Sequence, residues 1–125
     1  MVKEENIRTI KEKLCTVDII LQLAEEAGEL AAAAAKWVRI VDGRNPTPMP
    51  YEDAWMHLLE EMADVQNCME CILSTRDQMI VQGMIFGKLQ RWADRLQKKE
   101  EAEDAERNKS AVCSGRRRAR NQDGT

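Results

Sequence analysis

Two long stretches of this chain repeat apolar residues at helical spacing, and each carries two carboxylates three residues apart: Glu26-Ala27-Gly28-Glu29 and Glu61-Met62-Ala63-Asp64. Residues three apart share a helix face, so each pair offers two oxygen ligands to one point in space. If the two helices pack together, four carboxylates converge. Charges crowded in that way repel and resist desolvation, and a fold tolerates them chiefly when a hard cation such as Mg²⁺ compensates them. Either pair taken singly also fits a solvated acidic face. Two pairs on paired helices point to a metal site.

A chain of 125 residues is long enough for one ordinary domain and too short for two. Hydrophobic residues make up 43% and charged residues 33%, with three prolines and a single Phe and Tyr, a balance that favours helices over a β-sandwich. The net charge of −3 is unevenly spread: the first 97 residues are acidic, whereas Arg116, Arg117, Arg118 and Arg120 cluster late. An acidic body does not suit phosphate-driven duplex binding, so nucleic acid is not expected as a partner. The Arg cluster is read as part of a solvated tail, with an RNA or membrane-surface contact as the alternative. No apolar run reaches the length needed to span a bilayer and Met-Val-Lys-Glu-Glu-Asn is no signal segment, so a cytoplasmic protein is expected. Cys15, Cys68, Cys71 and Cys113 are expected as reduced thiols, since a single CxxC without a second ligand pair does not define a zinc site.

Periodicity predicts a short helix over about 3–13, with Ile7, Ile10 and Leu14 apolar. Thr16 is the expected N-cap of a long helix running to Gly43, whose stripe comprises Val17, Ile20, Leu21, Ala24, Ala27, Leu30, Ala31, Ala34, Val38 and Val41. Its Ala31–Ala35 segment lets a partner helix approach closely. Gly43 to Pro50 is a loop, because proline restricts itself and its predecessor. A second long helix is predicted over 52–73, carrying Trp55, Leu58, Leu59, Met62, Val65, Met69 and Ile72. Thr75-Arg76-Asp77-Gln78 has the form of a capping box, opening a helix over 76–97 in which Gly83 and Gly87 mark tight packing or an irregularity. The expected organisation is therefore a helical domain over 1–97 and a charged, flexible tail over 98–125.

Cations extend the acidic stripes. Lys36 lies on the stripe of Glu26, Glu29 and Ala33, while His57, Glu61, Asp64, Cys68 and Cys71 share another, with Asn67 one turn beyond Asp64. Lys88, Arg91 and Arg95 form a basic stripe, to be read either as surface pairing with groups such as Asp94 or as a phosphate contact. Acids with bases suit a polyphosphate bound through metal ions. A di-iron bundle would need Glu-x-x-His from two helices, which a single histidine, His57, cannot supply.

Glu25-Glu26-Ala27-Gly28-Glu29-Leu30 followed by Glu60-Glu61-Met62-Ala63-Asp64-Val65 resembles the EExxE and ExxD signature of MazG-like, all-α nucleoside triphosphate pyrophosphohydrolases. Lys88-Leu89-Gln90-Arg91-Trp92 is similar to the basic segment of a following helix in that family, so the resemblance covers about 14–96, with a spacer that is long for the family. It implies hydrolysis of a (d)NTP to the monophosphate and pyrophosphate on a bundle of about four helices, with an acidic metal site between the two long ones. Glu26, Glu29, Glu61 and Asp64 would be ligands of Mg²⁺, or of Mn²⁺. Glu25 would be the catalytic base that takes the proton from water; a solvent-facing role is its alternative. Lys36, Lys88, Arg91 and Arg95 would contact phosphates, with Asn67 and Trp37 as further substrate contacts. Trp37 is otherwise a packing residue. A phosphoribosyl-ATP pyrophosphatase and a non-catalytic helical assembly module are the alternatives. The apolar stripes exceed what one short and three longer helices can cover, so a homodimer or homotetramer is expected.

Overall fold

A computed structural model of the chain describes residues 2–43 and 47–122, with side chains through residue 116. All regular structure among the described residues is helical: α1 (Val2–Lys13), α2 (Thr16–Asp42), α3 (Tyr51–Ile72) and α4 (Thr75–Gln122). The chain is thus all-α, as its periodicity predicts. It divides into two compact units, Met1–Thr75 and Arg76–Thr125.

The start of α2 is fixed one residue earlier than predicted. Cys15 is the N-cap, in extended conformation, and the Asp18 carboxylate accepts from its backbone N–H at 3.1 Å and from its thiol at 3.0 Å. Thr16, the residue expected to cap, is already helical. Those hydrogen bonds, the thiol's before the backbone's, hold the Asp18 carboxyl below its ordinary range. The other end of α2 closes on Gly43, whose φ of 69° is left-handed and whose N–H donates to the Arg39 carbonyl at 3.0 Å. Pro50 is the N-cap of α3, where its fixed φ of −58° costs nothing and its missing N–H removes no helical bond. Of the loop between the two helices, residues 44–46 lie outside the described residues.

α2 and α3 pack along each other as an antiparallel hairpin. The direction follows from which residues meet. Late in α2, Trp37 lies against Tyr51 and Trp55 at the start of α3, with ring centroids 6.1 and 5.7 Å apart; earlier in α2, Glu26 and Glu29 meet Glu61. The buried apolar side chains are Ile19 and Ala33 from α2 and Ala54, Leu58, Cys68 and Cys71 from α3. The seam is narrower than the apolar stripes. Val17, Ile20, Leu21, Val38 and Val41 on α2, and Trp55, Leu59, Met62 and Met69 on α3, are exposed, because each long helix has only one long partner within its unit. Within the alanine run, Ala33 is buried and Ala31, Ala32 and Ala35 are exposed. α1 rests on α3, where Lys3 pairs with Glu70 at 2.8 Å over a groove that Ile7, Ile10, Asn67 and Cys71 help to line.

α4 runs 48 residues without a break, past the expected end at Gln97. The reason is local. Residues 98–109 are almost all good helix formers, and Lys99–Glu103 and Asp104–Arg107 pair along the helix at 3.9 and 3.3 Å. The charged stretch from 98 is helical as far as Gln122, while the side chains of Arg117, Arg118 and Arg120 lie outside the described residues. Gly83 and Gly87 do not interrupt the helix. A Cβ at Gly83 would meet open space, and one at Gly87 would meet only the Arg91 guanidinium at 3.4 Å.

Candidate metal site

Halfway along the hairpin the two helices bring three carboxylates together. Glu26, Glu29 and Glu61 each offer an oxygen, and the three oxygens lie within 4.8 Å of one another. α2 supplies the first two because they are three residues apart on one face; α3 supplies the third from the face that also carries buried Leu58 and Cys68. The trio spans a gradient of exposure: Glu29 is exposed, Glu26 half-buried and Glu61 8% exposed. Glu61 is the only charged side chain in the buried set among the described residues.

The electrostatics match the geometry. Repulsion from Glu26, then from Glu61, raises the Glu29 carboxyl above its ordinary range. Gln22 offsets part of the crowding by donating its amide to Glu26 Oε1. Glu61 is less well served. Its Oε1 lies 3.6 Å from His57 Nε2, and its Oε2 is buried with no hydrogen-bond partner among the described residues. A buried carboxylate oxygen without a donor is costly, and a ligand that brings positive charge would offset that cost. Three carboxylates, one of which has a buried oxygen without a partner among the described residues, fit a hard divalent cation.

The other expected site residues distribute unevenly. Asp64 is exposed one turn further along α3 and is not among the three gathered carboxylates; its side chain is one methylene shorter than glutamate. Its charge is felt at Cys68, whose thiol is pushed up mainly by burial, then by Glu26, Cys71 and Asp64. Glu25 is exposed one turn before Glu29, and Lys36 is half-buried further along α2. Asn67 does not join the trio: it is exposed and lines the groove under α1. Trp37 packs as expected, yet its indole N–H is buried without an acceptor. In the second unit, Lys88, Arg91 and Arg95 line one groove on α4 with Ile85, Leu89 and Trp92.

His57 lies in the first half of α3, and its side chain is 43% exposed. Its closeness to Glu61 is the feature that sequence reasoning passed over. The signal was present, since the two residues are four apart on one stripe. Cys68 and Cys71 are free, buried thiols that belong to no group of three potential ligands among the described residues.

No protein-family model, no curated protein and no solved structure matches the chain. The likeness to MazG-like enzymes therefore rests on the two acidic motifs and the basic segment alone.

Proposed function

We propose that this chain is a Mg²⁺-dependent nucleoside triphosphate pyrophosphohydrolase that converts a (d)NTP to the monophosphate and pyrophosphate. The observation that carries this reading is the meeting of Glu26, Glu29 and Glu61 from two helices, with the buried Glu61 Oε2 lacking a donor among the described residues. Glu26, Glu29 and Glu61 would hold the cation, and Asp64 is the fourth candidate ligand on the resemblance. Mg²⁺, or Mn²⁺ in its place, supplies charge compensation and orients phosphate oxygens when bound.

The chain's own residues supply the rest. Water adds to the α-phosphorus, the bond to the bridging oxygen breaks, and pyrophosphate departs. Glu25, exposed beside Glu29 on α2, accepts the proton that the water gives up. Lys36, in the same unit as the carboxylates, neutralises phosphate oxygens. The α4 face of Lys88, Arg91 and Arg95 is suited by its own composition to a polyanion. The catalytic unit is a homodimer or homotetramer, in which a second copy covers the exposed apolar residues of α2 and α3.

The test incubates the protein with a panel of NTPs, dNTPs and phosphoribosyl-ATP, with and without Mg²⁺, and resolves the products. Monophosphate plus pyrophosphate, formed only with the metal, is the expected result. Turnover of phosphoribosyl-ATP alone would move the activity to that substrate. No metal-dependent turnover on any member, together with no gain in stability from Mg²⁺, would leave a non-catalytic helical module.

A further inference from the structure

The two oxygens of Glu61 have different surroundings. Oε1 faces the imidazole of His57, 3.6 Å from Nε2, whereas Oε2 is buried and without a hydrogen-bond partner among the described residues. His57 stands one turn before Glu61 on α3, and its other nitrogen, Nδ1, lies 3.9 Å from Glu60 Oε2. The charged groups around this contact are thus Glu60 and Glu61 on α3 and, across the seam, Glu26 and Glu29 on α2. Among the described residues, no other ion-pair partner of Glu61 lies within 4.0 Å.

We propose that His57 is a positioning residue for the metal site: its Nε2–H is held against Glu61 Oε1, which sets the carboxylate so that Oε2 is presented to the cation. The proposal rests on the metal reading given above. A glutamate has three side-chain torsions, and an unsupported one must give up that freedom when the ion binds. A donor fixed on one oxygen removes part of this cost beforehand and leaves the other oxygen free. Partners of this kind behind a ligating carboxylate govern affinity although they never touch the metal. At 3.6 Å the two groups are adjacent without a formed hydrogen bond, and donors that serve a site commonly tighten only when its ligand arrives. The contact with Glu60 differs in kind: both partners are substantially exposed, at 43% and 69%, and solvent screens them.

The test titrates Mn²⁺ into the full chain at one pH and follows the loss of the free-ion electron paramagnetic resonance signal. Four proteins are compared: the parent, His57→Met, His57→Gln and Glu61→Gln. Met and Gln both suit a helix and have similar length, but only Gln retains a donor. The expectation is that His57→Met weakens Mn²⁺ binding by roughly 10–100-fold, that His57→Gln stays close to the parent, and that circular dichroism is the same for all four. Equal affinity for the parent and His57→Met, with Glu61→Gln impaired, would overturn the role of His57 and leave the metal site standing. His57→Gln falling as far as His57→Met would overturn hydrogen-bond donation as its means. A parent that binds no Mn²⁺, or a Glu61→Gln variant that binds as the parent does, would overturn the metal reading and the role of His57 with it.

Discussion

At the scale of single residues, the site is a balance between repulsion and the charge that would relieve it. Glu61→Gln removes one charge without changing shape; Mn²⁺ binding and pyrophosphate release should both be lost while helix content stays constant in circular dichroism. Loss of helix instead would make Glu61 structural. Glu29 gives a pH signature. Its folded-state carboxyl is raised by Glu26 and Glu61, so the metal-free protein is favoured below the ordinary carboxylate range and loses that advantage as pH rises through the raised value. Glu29→Gln should therefore raise the denaturation midpoint of the metal-free protein at neutral pH, and the gain should shrink on acidification. In Mg²⁺ the parent should recover, because binding to the native state stabilises it by mass action. How much of this was legible depends on the residue. The Glu26–Glu29 pair was, since both partners lie on one helix. Asp64 against Glu61 was not: sequence spacing gives the stripe they share, but only the rotation of α3 against α2 decides which carboxylate reaches the partner helix. The thiols divide in the same way. Cys15 and Cys113 are exposed and Cys68 and Cys71 buried, so an alkylating reagent should label the first two in the native protein and reach the others only after unfolding.

Helices were more legible than the faces they bury. The apolar period and the punctuation at Gly43, Pro50 and Thr75 placed the boundaries of α1, α2 and α3 to within about two residues, the usual latitude of helix ends. The α2 cap moved from Thr16 to Cys15 because Asp18 reaches back to the Cys15 N–H, a bond whose geometry depends on the turn after α1. The end of α4 was not legible, since helix propensity and ion pairs sustain it where no apolar pattern does. Gly43 isolates one element-scale effect. Its φ of 69° disfavours any side chain, yet a Cβ there would touch nothing. Gly43→Ala should therefore cost about 1 kcal/mol, from the left-handed backbone alone. Chemical denaturation measures it, and an unchanged midpoint would mean that the end of α2 relaxes without strain.

At the scale of the whole molecule, what counts is how little a single chain buries. Six apolar side chains form the buried set among the described residues, two of them alanines and two cysteines, while Ile20, Leu21, Trp55, Leu59 and Met62 are exposed. So small a core offsets little of the conformational entropy that folding removes, and it leaves large apolar side chains of α2 and α3 exposed. The covering partner that we propose is a second copy, and it implies two linked observations. Sedimentation equilibrium should give a mass at least twice that of the 14.3 kDa chain, and thermal midpoints should rise with protein concentration, because folding and assembly are then one equilibrium. Replacing Leu21 and Leu59 together by Glu should dissociate the assembly and lower the midpoint more than either change alone. The distal half of α4 serves as the control. From Lys98 to Arg116 every side chain is exposed, so ending the chain after Gln97 should remove helix signal while leaving the number of chains per assembly, metal affinity and the melting of the first unit unchanged. A truncated protein that becomes monomeric would instead place the contact between copies on the charged helix and move the search for the interface away from α2 and α3.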